Sequence, residues 1–339
     1  MLPAVPDIQQ AILHGDASRR RRGIAKAITL LESTRADHRA LADELLTALL
    51  PHTGKALRLG LSGVPGVGKS TFVETLGLHL TGRGLKVAVL AIDPSSSVSG
   101  GSILGDKTRM ERLSREPNAY IRPSPSSCNL GGVAEKTREA MLVCEAAGYD
   151  VVIIETVGVG QSETAVHDMA DMFVLLQLPN AGDDLQAIKK GVMEMADLVV
   201  INKADIDPVA ATRAQAQITS SLRLLGFHGR HDDSAAPQWQ PRVLQISALE
   251  GTGVEDFWAA VEEFRNINTG NGKLAQRRQQ QSQAWMWERI DAGLKDAFRT
   301  HAGVSGQLPE LTQRVQQGTL AASTAARQLL QLFQSAVQP

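Results

Sequence analysis

The chain is expected to be an α/β protein, a P-loop NTPase built on a doubly wound, mostly parallel sheet with helical extensions at both ends. Three observations predict this. Between Leu57 and Phe264, six short apolar runs alternate with helix-patterned segments, the pattern of strands buried between two layers of helices. A glycine-rich turn closing on Lys69-Ser70 follows the first run, at the sheet edge where such folds hold phosphates. The segments before and after this region carry helical periodicity and no strand runs.

Taken in order, residues 1–53 make a helical N-terminal extension. Ile24, Ile28 and Leu31 form one apolar stripe, Leu41, Leu45, Leu46 and Leu49 form another, and Pro51 ends the second helix. Residues 54–266 make the nucleotide-binding domain, with strands at Leu57–Leu61, Val87–Ile92, Val151–Ile154, Met172–Leu178, Leu198–Ile201 and Val243–Ile246. Phe227 to Pro241, mixing Gly, Pro, His and Asp, is expected to be an exposed loop. Thr269-Gly270-Asn271-Gly272 is a linker into a Gln-rich helical C-terminal arm, residues 267–339. On that arm Trp285 and Trp287 stand two apart, so one helix cannot send both into one core. Arg19 to Arg22 are expected to be a solvated helix face.

The 339 residues suffice for a substantial core, and a 43% hydrophobic content agrees with a globular protein. A net charge of −1 gives no electrostatic reason to expect nucleic acid as a partner. No apolar stretch is long enough to span a bilayer and no signal-peptide layout opens the chain, so the expectation is a cytoplasmic protein without a membrane partner. Two cysteines, Cys128 and Cys144, make neither a disulfide framework nor a metal cluster.

Gly63-Val64-Pro65-Gly66-Val67-Gly68-Lys69-Ser70 fits G-x-x-x-x-G-K-[ST], and Thr71 continues into a helix. Its backbone N–H groups and the helix N-terminus suit phosphate oxygens; Lys69 suits the β/γ-phosphates and Ser70 a Mg²⁺ ion. Asn202-Lys203-Ala204-Asp205 follows the strand Leu198–Ile201 and fits Asn-Lys-x-Asp. The Asp205 carboxylate can accept from both the N1–H and the exocyclic amino group of guanine, whereas adenine offers no such pair of donors, so GTP and GDP are the expected ligands. Ser247-Ala248-Leu249, after the last strand, suits a loop that contacts the base. Asp93 ends the strand Val87–Ile92, Glu155 ends the strand Val151–Ile154 and Asp106 lies in the loop Gly100 to Lys107, three places from which carboxylates can assist Mg²⁺ through water in its outer shell. Lys69, Asp106 and Glu155 are the candidate catalytic residues. Gly158 is placed to offer an N–H to the γ-phosphate, and Gln161 is taken as an ordinary polar loop residue. Asp183, Asp184, Lys189 and Lys190 sit around a candidate third mobile loop after the strand Met172–Leu178, although by themselves Lys189 and Lys190 suit a solvated helix face.

These blocks, with Ile92 to Ser97, Gly100 to Met110, Glu155 to Glu163 and Gly182 to Gly191, closely resemble the MeaB/ArgK family over nearly the whole chain. Its members are GTPase chaperones of adenosylcobalamin-dependent methylmalonyl-CoA mutase. The resemblance implies that Lys69 and Ser70 contact phosphate and Mg²⁺, and that Asp93, Asp106 and Glu155 are metal-site carboxylates. It implies further that the segment around Asp183 and Lys189 couples nucleotide state to the mutase, and that the C-terminal arm contributes to a homodimer. Cys128 departs from the family's usual pattern. The alternative activity, an older assignment among relatives, is a kinase acting on a transport binding protein; it suits ATP, against which Asp205 argues. A nickel-delivery GTPase would need a His-rich stretch or Cys/His ligands, and the chain has neither.

Overall fold

Apolar runs flanked by helices produce strands covered on both faces. The computed structural model describes residues 4–33, 35–92, 110–122, 130–156, 162–179, 190–226 and 237–335. Two compact units are present, Met1–Ala275 and Gln276–Pro339.

In the first unit, helices α1 (Val5–His14), α2 (Ala17–Leu31) and α3 (Ala36–Leu49) precede strand β1 (Leu57–Gly63). Then come α4 (Lys69–Gly82), β2 (Val87–Ile92), α5 (Glu111–Arg115), β3 (Ala119–Arg122), α6 (Leu130–Ala146) and β4 (Val151–Thr156). After these come α7 (Ser162–His167), β5 (Met172–Gln177), α8 (Lys190–Glu194), β6 (Leu198–Ile201), α9 (Pro208–Gly226), β7 (Arg242–Gln245) and α10 (Val254–Gly270). The strands form one sheet in the order β3-β2-β4-β1-β5-β6-β7, and every pairing is parallel. The winding reverses at β1, which lies between β4 and β5, and the phosphate-loop sequence leaves the carboxyl end of that strand.

The pleat divides β1 between two cores. Leu57, Leu59 and Leu61 face Phe72, Val73 and Leu76 of α4 and Phe257 of α10. On the other face, the N-terminal helices join the sheet's own core: Ile24, Ile28, Leu31, Leu45 and Leu49 pack with Ala88, Leu90, Val143 and Val152. Phe72 and Phe257 meet edge to face at 4.9 Å, which fixes α10 against α4. A buried ion pair anchors the start of β1: Arg58 Nε donates to Glu145 of α6 at 2.6 Å, and the Gly54 N–H donates to the same carboxylate.

Four expectations need correction. Strand β3 escaped the sequence reading because Ala-Tyr-Ile-Arg is short, half-exposed on alternate residues and lies at the sheet edge. Within the expected loop, Trp239 is half-buried: its indole donates to Asp197 O at 2.8 Å, meets Phe264 edge-on and carries Arg242 on its face. The expected linker is shorter, because α10 runs on through Thr269 and Gly270 and only Asn271 and Gly272 separate it from the next helix. Arg20 and Arg21 are not a solvated face. Arg20 donates to Ile12 O, and Arg21 to the carbonyls of Glu116, Pro117 and Ala119, so the basic run ties α2 to α1 and to the entry of β3.

The second unit contains most of α11 (Lys273–Thr300), α12 (Ala302–Gln316) and α13 (Ala322–Ser335). Val304, Leu311, Ala325 and Leu329 form its small core, closed by the rings of Phe298, His301 and Phe333.

Candidate functional site

The site grows from the turn between β1 and α4. Gly68 is the residue before α4 and is left-handed, with φ +93°, and a Cβ on it would stand 2.6 Å from the Asn202 amide nitrogen. Only glycine meets both demands. The N-terminus of α4 thereby begins at the carboxyl end of β1, the kind of helix start that receives anions. Lys69 is buried, and its Nζ donates to Gly63 O at 2.7 Å and to Val64 O at 3.1 Å, a cation laid back over its own loop. Ser70 donates its hydroxyl to Glu155 Oε1 at 2.9 Å, so the helix and the end of β4 meet through two oxygen groups. Pro65, Gly66 and Thr71 are exposed, while Val67 is buried.

Asn202 lies just beyond β6 and is buried. Its Nδ2 donates to Val67 O at 2.8 Å, and its Oδ1 accepts from the Ala248 N–H at 2.9 Å. Lys203 is the only non-glycine residue with positive φ among those described, at +62°, and its Nζ donates to Gly66 O at 2.9 Å. Such a left-handed residue costs on the order of 1 kcal/mol and persists only where its surroundings hold it. The holding contacts are the Ala204 N–H to Ile246 O at 3.1 Å and the Lys203 side chain on the loop. Asp205 is exposed and makes no hydrogen bond or ion pair among the described residues. The loop after β7 is shaped by Ser247: its N–H donates to Thr252 O, its carbonyl accepts from Gly251, and its hydroxyl accepts from the Glu250 N–H. Leu249 stands out from this loop, 83% exposed.

Three stretches far apart in the chain, 63–70, 202–205 and 247–249, are thus joined in one hydrogen-bonded set, with Glu155 reaching it through Ser70. Asp93, Asp106, Gly158, Gln161, Asp183, Lys189 and Cys128 lie outside the described residues. Sequence reasoning passed over Thr75, whose hydroxyl donates to Ala248 O, and Gln177 at the end of β5. The Gln177 amide is buried with neither polar atom bonded among the described residues. Thr75 carries a signal only in hindsight, as a hydroxyl on the phosphate helix; Gln177 carries the plainer one of a polar residue closing an apolar run.

A family model described as "Methylmalonyl Co-A mutase-associated GTPase MeaB" matches residues 24–302. The chain belongs to the MeaB family. It is 47% identical to the GTPase ArgK of Escherichia coli over 97% of this chain and 98% of that one. It is 49% identical to the mitochondrial methylmalonic aciduria type A homolog of Mus musculus, over 92% of this chain and 76% of the mouse protein. A solved structure titled "Crystal structure of LAO/AO transport system kinase" superposes with a TM-score of 0.70 at 39% identity, covering 98% of this chain and 96% of that one. This MeaB-family protein is a GTPase with the fold of the P-loop GTPases, and it binds GTP and GDP. Among its described residues no helix is long and apolar enough to cross a membrane.

Proposed function

We propose that this GTPase controls an adenosylcobalamin-dependent acyl-CoA mutase, methylmalonyl-CoA mutase in the first instance, gating cofactor loading and protecting or reactivating the enzyme from the cytoplasm. The family match over residues 24–302 carries the partner. The observation that supports the site assignment is Asn202, which bonds the phosphate loop with one end of its amide and the Ser247–Leu249 loop with the other.

In this reading Gly63 to Thr71 hold the phosphates, and Asn202, Lys203, Asp205, Ser247, Ala248 and Leu249 form the base site. Lys69 exchanges the carbonyls of Gly63 and Val64 for β- and γ-phosphate oxygens, neutralising charge as the γ-phosphoryl leaves for water. The Ser70 hydroxyl and the Glu155 carboxylate are hard oxygen groups already side by side, a donor pair that fits Mg²⁺. Asp93 and Asp106 would complete the proposed metal set, and Mg²⁺ would supply neutralisation of the charge on the phosphates. Gly158 senses the γ-phosphate; Asp183 and Lys189 pass nucleotide state to the mutase. A partner that binds one nucleotide state better than the other is gated by that difference alone. We further propose a homodimer through the C-terminal arm, supported by Met286, Trp287, Ile290 and Leu294, which stand exposed on α11.

The test is hydrolysis of GTP and ATP by the purified protein, with and without the acyl-CoA mutase of the same genome. Slow, GTP-selective turnover that rises with the mutase is expected. Rapid turnover indifferent to the mutase counts against the chaperone role. The solved relative's title keeps a second reading in view, phosphoryl transfer to a transport binding protein, which requires a labelled γ-phosphate to appear on protein.

A further inference from the structure

We propose that Thr75 is a specificity-determining position for the guanine nucleotide, acting by fixing the orientation of the Ala248–Leu249 peptide. The proposal rests on the reading of Asp205 and Ser247–Leu249 as the base site.

Threonine inside a helix ordinarily turns its hydroxyl back to the carbonyl four residues earlier. This chain does so repeatedly: Thr29 bonds Ala25 O, Thr47 bonds Asp43 O, Thr137 bonds Val133 O and Thr212 bonds Pro208 O. Thr75 of α4 departs from the habit. Its hydroxyl donates outward to Ala248 O at 2.7 Å, across a separation of 173 residues. Ser247 pins both its own position and residues 250–252 of that loop, but none of its bonds touches the peptide between Ala248 and Leu249. That peptide's carbonyl is held by Thr75.

A trans peptide is planar, with its carbonyl and N–H pointing in opposite directions. Drawing Ala248 O toward α4 therefore aims the Leu249 N–H away from α4. This N–H has no hydrogen-bond partner among the described residues, whereas the neighbouring Ala248 N–H is engaged by Asn202. An aimed, free donor discriminates purines, because guanine carries an acceptor, O6, where adenine carries a donor amino group. Removing the hydroxyl leaves the donor in place and releases its direction. Thr75 also stands on the helix that begins with Lys69 and Ser70, so the base loop is registered to the phosphate-binding end of the site through one side chain.

The experiment measures affinity of the full-length protein for GDP and ADP in Thr75→Val and Thr75→Ser, with melting temperature recorded for each. Thr75→Val is expected to weaken GDP about five- to tenfold, the worth of one hydrogen bond, and to leave ADP unchanged, while Thr75→Ser restores GDP binding. If the valine variant folds poorly, Thr75→Ala serves, since alanine favours the helix and also lacks the hydroxyl. An unchanged ratio of GDP to ADP affinity overturns the proposal, and so does an equal loss of both, which marks a role in the helix alone. The underlying base site is tested apart by Asp205→Asn, expected to shift preference from GDP to xanthosine diphosphate. If that shift occurs and Thr75→Val is silent, only the Thr75 proposal fails; if the shift does not occur, the base-site reading fails with it.

Discussion

At Lys69 a single amino group carries two jobs, donating hydrogen bonds to its loop's carbonyls in the free protein and, in our proposal, neutralising the phosphates in the bound one. Lys69→Ala is expected to lower GTP turnover by at least about a hundredfold, read as phosphate release, because preorganised charge at the transferring phosphoryl is worth several kcal/mol. Normal turnover in that variant would remove the phosphate loop from the mechanism. Gln177 invites the opposite kind of change. Both of its polar atoms are buried without a partner among the described residues, a cost that Gln177→Met abolishes at nearly constant volume. That variant is expected to gain about 1 kcal/mol in denaturant unfolding of the nucleotide-free protein. The two residues differ in how far sequence alone could assign them. Lys69 belongs to a spaced motif whose chemistry follows from its neighbours in the chain, while the burial of Gln177 depends on strands that pair with β5 from elsewhere.

Among the elements, the strongest dependence is that of β1 on α6. Glu145 has no exposed side-chain surface and holds Arg58 and the Gly54 N–H together, so Glu145→Gln leaves a cation without its counter-charge. A loss of about 3 kcal/mol is expected from the denaturation midpoint. The same region sets a response to alkali. Burial, and then the Cys144 thiol beside it, pushes Tyr149 up to about 12; burial raises Tyr120 and Cys144 as well. Raised acids stabilise the fold below their unfolded pKa values, about 8.5 for Cys and 10 for Tyr, and that stability is lost as pH climbs toward the folded values. The melting temperature is therefore expected to fall steadily above about pH 9, less steeply in Tyr149→Phe. A melting temperature flat to pH 11, roughly one unit past the free tyrosine value, would contradict this linkage. Element by element, the interior strands were plain from their unbroken apolar runs. Edge strand β3 and the packing of Trp239 were not, because a half-buried element has a weaker pattern and its partner is distant in sequence.

For the molecule as a whole, the question is which exposed surfaces meet other chains. Trp287 and Leu294, 56% and 57% exposed, lie seven residues apart on α11 with Ile290 between them, a stripe on one side of the helix. If the proposed dimer uses it, Trp287→Glu combined with Leu294→Glu halves the mass seen by sedimentation while GTP turnover without the mutase stays near that of the parent. A mass unchanged by both charges assigns the dimer to another surface. The placing of Trp285 and Trp287 on different sides followed from helical geometry alone. Which of them faces water did not: Trp285 is half-buried and Trp287 exposed.

The sequence by itself determined the α/β class, the phosphate loop at the end of its first strand and the guanine-type tetrapeptide, because each is written in neighbouring residues whose spacing carries the physics. The tertiary structure decided what those pieces touch. Asn202 reaches Val67 and Ala248, and Thr75 turns from its own helix to a loop 173 residues away, only because β6 and β7 are laid beside β5 and α10 is packed on α4. Contacts of that range depend on strand order and on the meeting of side chains such as Phe72 and Phe257, and no local pattern in the chain encodes the distance between them.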